Sequence, residues 1–248
     1  MTAQNPYEPQ ASDMSADIGK VKIRPIELLK RSYEMVKDDY WLFLGITVVG
    51  VLLGSMVPLY ILLGPLMVGI FICYKKLENQ EKVEFADLFK GFEQFADALI
   101  ATLILVAITF LVIIPFAILF VVALIASEAQ SPNDFPITAF LVFYPLLLLL
   151  SFAVSLPFIF TFQLIADRKM TAMNAVKASF RGVIRNLGGV ILFFIVLGFV
   201  SMLLALMCYF PAFLFMPISF GALFLLYRDI FGLPGQETDM LVADIIPE

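Results

Sequence analysis

The sequence predicts an all-α, polytopic transmembrane helical bundle of six spans, with three cytosolic interfacial amphipathic helices and a threefold internal repeat. Three observations lead there. Apolar residues make up 61% of the chain and charged residues 15%, against roughly 45–50% and 25% in soluble domains. Uncharged runs exceed what one bilayer crossing needs: from Leu187 to Tyr227 there is no Asp, Glu, Lys, Arg or His. All 16 Lys and Arg fall in segments that a single six-span topology places in the cytosol.

Met1 to Lys20 is rich in Ser, Asp, Gln, Pro and Ala and has no apolar run. It is neither a secretory signal nor a transit peptide, and 1–23 reads as a disordered cytosolic tail. The membrane domain covers 24–232. Pro25 suits a first helical turn, and Ile26, Leu29, Tyr33, Val36 and Tyr40 recur at steps of 3, 4, 3 and 4. That spacing lines one face of an interfacial helix over 25–40. Trp41 to Tyr74 is then uncharged for 34 residues, about 51 Å as one helix against a hydrocarbon core of about 30 Å. Pro58 divides the run into spans 41–57 and 59–75. A single kinked span is the alternative, and it carries Lys75 and Lys76 to the far side, against the retention of basic residues in the cytosol. Gly50-x3-Gly54 is a small-residue pattern for close helix approach, expected to act within the chain.

A second charged segment, 84–97, repeats the spacing with Phe85, Leu88, Phe92, Phe95 and Leu99. Span 98–126 follows, with Pro115 inside it, then a polar loop, Glu128 to Asp134, without Lys or Arg. Span 136–166 contains Pro136, Pro145 and Pro157, which are expected to bend it. The third lead-in, 171–186, has Met173, Val176, Phe180, Val183 and Leu187 on one face and Asn174, Lys177, Arg181 and Arg185 on the other. Spans 187–208 and 211–228 complete the six, and 233–248 is an acidic cytosolic tail.

Six Lys or Arg precede Trp41, four lie in 75–97, five in 167–186, and Arg228 ends the last span. With six spans every one is cytosolic, as the positive-inside rule requires. The even-numbered spans also end alike: Pro65, Gly69 and Lys75; Pro157, Thr161 and Arg168; Pro217, Gly221 and Arg228. Together with the three lead-in faces, this supports a repeat of interfacial helix plus hairpin, a device familiar in membrane folds.

Asp87-Leu88-Phe89-Lys90-Gly91-Phe92, then Ala175, Lys177 and Ser179, and finally Tyr227-Arg228-Asp229-Ile230-Phe231-Gly232 carry a resemblance. Over about residues 24–232 the chain is similar to bacterial integral-membrane families of unknown function that include the membrane domain associated with glycerophosphoryl diester phosphodiesterases. The resemblance implies a multi-pass protein of the bacterial inner membrane, and the distribution of basic residues places both termini in the cytosol. The phosphodiesterase barrel uses His, which this chain lacks, so that activity is not carried over.

No catalytic residues, metal ligands or cofactor motif stand out, and without His the commonest proton shuttle and metal ligand is absent. Apart from Gln163 the spans offer hydroxyls such as Thr161, which more often bond their own helix or a neighbour. Gln163 is the polar candidate inside the membrane. Tyr33, Phe92 and Phe180, each preceded by Ser32, Gly91 or Ser179, are expected to insert among the cytosolic ends of the spans. Lys30, Arg31, Lys90, Lys177, Arg181 and Arg185 would then meet anionic phospholipid headgroups at up to about 1 kcal/mol each. The tails are candidate contacts for a protein partner, and nucleic acid is not an expected one. A non-enzymatic membrane organiser or assembly protein fits best; a transporter or flippase of an apolar or lipid-like substrate is the alternative. An intramembrane enzyme comes last, for want of a nucleophile-base pair or metal cluster.

Overall fold

The computed structural model describes residues 21–56, 61–130, 137–207 and 210–232, and among them all regular structure is helical. In chain order these are α1 (Pro25–Val36), α2 (Tyr40–Met56), α3 (Leu63–Glu78), a 3-10 helix (Phe85–Gln94) and α4 (Phe95–Gln130). Then come α5 (Ile137–Ser155), a 3-10 turn (Leu156–Phe158), α6 (Thr161–Arg168), α7 (Ala172–Arg185), α8 (Leu187–Leu206), α9 (Phe210–Leu214) and α10 (Met216–Phe231). Four stretches are long and apolar enough to cross a membrane: Phe85–Ile125, Phe143–Arg168, Leu187–Leu206 and Phe210–Phe231. A fifth is added if α1 and α2, bent by 109° at their junction, count as one.

Local chemistry accounts for the helix ends. Pro25 opens α1 with its φ already helical. Glu84 and Asp87 form a reciprocal capping box on the 3-10 helix. Pro157 coincides with the break between α5 and α6, whereas Pro115 and Pro145 stay inside α4 and α5. Pro136, the tail 1–20, the polar loop from residue 131, and 233–248 lie outside the described residues. Val21 and Ile23, expected as tail, are held against the bundle instead, while Lys22 is exposed. The Val21 amide donates to Asn186 Oδ1 at 2.9 Å and Ile23 is buried beside Gly189.

Three joints hold the lead-in helices to the halves of α3, α6 and α10 that follow Pro65, Pro157 and Pro217. In the first, Ser32 Oγ donates to the Ile218 carbonyl at 2.7 Å, and a Cβ at Gly221 would stand 2.3 Å from Ser32 Oγ. At the second joint the backbones touch: a Cβ at Gly91 would be 2.0 Å from the Pro65 carbonyl oxygen, and one at Gly69 1.8 Å from that of Leu88. In the third, the Phe160 amide donates to Ser179 Oγ at 3.0 Å. The second and third lead-ins dock on the helix just before them in the chain, whereas the first docks on the last. The two ends of the described chain thus close a circle.

The second lead-in departs from its α-helical reading. A 3-10 helix has three residues per turn and a rise of about 2.0 Å, so side chains at i and i+3 eclipse. Leu88 and Gly91 form the face against α3, and both are buried. Asp87, Lys90 and Glu93 form a charged face, with Asp87 accepting from Lys76 Nζ and ion-paired to Lys90 Nζ, each at 2.7 Å. Phe89, Phe92 and Phe95 form the third, their ring centroids 6.4 and 6.1 Å apart, matching a repeat of about 6 Å per turn. At 3.6 residues per turn Leu88, Phe92 and Phe95 would share a face; at 3.0 Leu88 turns in and the rings turn out.

Elsewhere packing is uneven. The Gly50-x3-Gly54 pattern is used inside the chain, since Cβ atoms there would stand 2.9 Å from Ile70 Cδ1 and from Leu63 Cα on α3. By contrast, beyond Thr102 no described side chain of α4 or α5 is buried. These two helices touch through Phe116 and Phe120 against Phe143, and α5 reaches α8 through Phe152 and Phe194.

Candidate functional site

The ends of α3, α6 and α10 carry Tyr74-Lys75, Asp167-Arg168 and Tyr227-Arg228, each about three turns beyond its proline. Close packing brings these ends together. Tyr74 Oη donates to the Pro217 carbonyl at 2.6 Å, Gln163 Nε2 to that of Leu223 at 3.2 Å, and an Arg168 guanidinium nitrogen to that of Phe231 at 2.6 Å. Tyr74, Phe160, Phe224, Tyr227 and Phe231 fill the space between, with centroids 5.2 to 6.4 Å apart.

At the centre sits Asp167, where the other two ends have tyrosine. Its Oδ2 accepts from Tyr227 Oη at 2.8 Å and from Arg228 at 2.7 Å, and Lys75 Nζ stands 2.8 Å from its Oδ1. Arg228 turns its remaining nitrogens to Glu78 Oε2 at 2.7 Å, while its guanidinium lies 5.0 Å from the Phe224 ring centroid. The side chains of Asp167 and Arg228 are only 2% and 6% exposed. Two carboxylates meet two cations, so the group neutralises itself. With two donors on Oδ2, an ammonium beside Oδ1, and the same Lys75 Nζ donating to the Asp167 backbone carbonyl at 3.1 Å, this carboxylate is a structural clasp rather than a free general base, which needs an open approach to its substrate. Buried charges of this kind cost several kcal/mol each to desolvate and persist where hydrogen bonds and opposite charge offset that cost.

The aromatic candidates lie elsewhere than expected. Tyr33, Phe92 and Phe180 are 50%, 36% and 49% exposed, so these rings do not fill the joints. The small residue before each one does, since Ser32, Gly91 and Ser179 are buried. A ring has no room where two backbones approach this closely. Lys30, Arg31, Lys90, Lys177, Arg181 and Arg185 are all exposed. Arg31 pairs with Asp229 at 3.3 Å and Lys90 with Asp87 at 2.7 Å. Gln163 and Thr161 are buried; Thr161 Oγ1 donates back to the Pro157 carbonyl at 3.3 Å, and Gln163 Oε1 has no hydrogen-bond partner among the described residues. Thr47, Thr102, Ser155 and Ser219 likewise bond their own helices.

No protein family, curated protein or solved structure matches this chain. Among the described residues no group of His, Cys, Asp and Glu is arranged to hold a metal ion. Sequence reasoning set Lys75, Arg168 and Arg228 in register but missed Asp167, Glu78 and Tyr227 as their partners. The available signal was the one position at which an acid replaces tyrosine before the terminal basic residue.

Proposed function

We propose that this protein is a non-enzymatic membrane organiser or assembly protein, built as six spans with three cytosolic lead-in helices in a threefold repeat. The observation that carries this reading is the self-neutralised clasp at Asp167. The charged side chains Lys75, Glu78, Asp167 and Arg228 where α3, α6 and α10 meet are engaged with one another, and rings fill the space around them. Such a centre serves rigidity, and leaves outer surfaces for partners. The exposed basic residues of the lead-ins face anionic headgroups of the bacterial inner membrane, both tails are cytosolic, and no cofactor takes part. α2 and α3 have 17 and 16 residues, about 25 Å each, so as crossings they need local thinning of the bilayer.

A second reading, transport of an apolar or lipid-like substrate, is favoured by one atom. Gln163 Oε1 is buried without a hydrogen-bond partner, and a cargo hydroxyl would satisfy it. Native mass spectrometry of the protein released from membranes separates the two. A membrane protein leaving with it in fixed stoichiometry supports the organiser, whereas a bound lipid-like molecule lost on Gln163→Leu supports transport. Topology is tested with single cysteines in a Cys-free background. Asn79→Cys, at an exposed turn, is expected to react with an impermeant thiol reagent only from the cytosolic side, and Ser131→Cys, outside the described residues, only from the other. Reaction of Asn79→Cys from outside would defeat the six-span arrangement.

A further inference from the structure

We propose that the ring face of the 3-10 helix, Phe89, Phe92 and Phe95, is seated against lipid acyl chains as a continuation of the lipid-facing surface of α4. Direction comes first. The 3-10 helix runs antiparallel beside α3, with Asp87 at Lys76, Leu88 at Gly69 and Gly91 at Pro65. It then continues into α4 as a single stretch from Phe85 to Ile125. α1, by comparison, turns through 109° before α2. The second lead-in therefore stands with its span instead of lying across it.

Side chains on this helix are sorted by face. With three residues per turn, Ala86, Phe89, Phe92 and Phe95 share one face, and none of them has a polar side-chain atom. The charges are gathered on another face, where Asp87 is closed by Lys76 and Lys90. Each ring stays between 36% and 46% exposed, and from Phe95 the i+4 ridge of α4 carries the row through half-buried Leu99 to exposed Leu103, while Ala98 and Thr102 beside it are buried. A stacked apolar row joined without a break to the surface of a crossing helix is driven out of water by the same effect as that helix. Acyl chains are the occupant because they already cover the surface that the row extends.

Trp41 is the only tryptophan in the chain, so Trp41→Phe gives a dark background. In it, Phe89→Trp and Phe92→Trp report the ring face, and Glu93→Trp reports the exposed charged face. The full chain is placed in phosphatidylcholine and phosphatidylglycerol vesicles whose acyl chains carry bromine. We expect both ring-face tryptophans to emit blue-shifted light, to lose most of it to the brominated chains and to resist aqueous iodide, with the reverse for Glu93→Trp. If iodide quenches Phe89→Trp and Phe92→Trp as strongly as Glu93→Trp, the face is in water and the proposal fails. If neither quencher reaches them, protein such as a second copy covers the row, and the proposal fails equally. Two ring positions guard against one variant misfolding. The outcome depends only on α4 crossing the bilayer, so it is independent of the organising role.

Discussion

The proline-to-basic halves of α3, α6 and α10 and the middle hairpin of α4 and α5 draw on the same apolar residues, yet they pack in opposite ways. In the first region Tyr74, Phe160, Phe224, Tyr227 and Phe231 are almost completely buried. In the second, Leu111 and Leu149 are 74% and 67% exposed. Hydrophobicity alone does not separate them, because lipid solvates a leucine as well as another helix does. What separates them is the supply of glycine, serine and paired charge at fixed positions. Gly69 and Gly91 let backbones meet, Gly221 makes room for the Ser32 hydroxyl, Ser32 and Ser179 bond across, and Asp167 ties three helix ends together. Beyond Thr102 the hairpin has ring contacts but no equivalent anchor among its described residues, whereas the start of α4 is held by Gly64 against the Ala98 carbonyl and by Asp97 accepting from the Ala172 amide.

The largest loss is expected at Asp167. Asp167→Ala leaves Arg228 and Lys75 without their shared carboxylate and is expected to cost about 3–5 kcal/mol, the loss seen when one member of a buried pair is removed. Leu111→Ala on α4 is expected to change little. Thermal unfolding in detergent compares the two, and equal midpoints would show that the clasp does not hold the bundle.

Glycine replacements come next. Gly69→Ala and Gly91→Ala force a methyl onto a neighbouring carbonyl, with an expected overpacking cost of about 1–3 kcal/mol each. Gly198→Ala in α8 meets nothing within 4 Å and is expected to be neutral or to stabilise by up to about 1 kcal/mol through helix propensity. A ranking of the three melting midpoints in the opposite order would remove the close-approach explanation.

The serine joints carry smaller effects. Ser179→Ala leaves the buried Phe160 amide without its acceptor, for about 1–3 kcal/mol, while Ser32→Ala loses one hydrogen bond, for about 0.5–1.5 kcal/mol. Ser155→Ala on α5, whose hydroxyl bonds its own helix, is the control, and hydrogen exchange at the Phe160 amide reports the first change.

The smallest effect belongs to the outer basic residues. Replacing Lys177, Arg181 and Arg185 with Gln is expected to leave thermal stability unchanged and to weaken the preference for anionic vesicles by up to about 1 kcal/mol per residue. Salt should erase the difference, because exposed charges are screened beyond about 10 Å at 0.1 M. A loss of stability without a change in vesicle preference would place these side chains in packing instead.

Much of the fold was legible. Pro25 and Pro157 mark real boundaries, the Gly50-x3-Gly54 pattern packs within the chain, and the three lead-ins form as helices. The reading of Ser32-Tyr33, Gly91-Phe92 and Ser179-Phe180 found the right places but gave the inward role to the wrong member of each pair. Periodicity shows that two residues lie near one face. It does not show which of them meets a partner whose position is set elsewhere.

By itself the sequence determined the helical class, the membrane-length apolar stretches and the equivalent endings at Lys75, Arg168 and Arg228, because composition and local spacing are properties of a single segment. Only the tertiary structure decided that Asp167 takes a bond from Arg228, 61 residues away, and from Lys75, 92 residues away. It also decided that the second lead-in winds with three residues per turn. Both depend on how closely helices approach, and that distance follows from glycines on one helix meeting carbonyls on another, which no stretch of sequence contains.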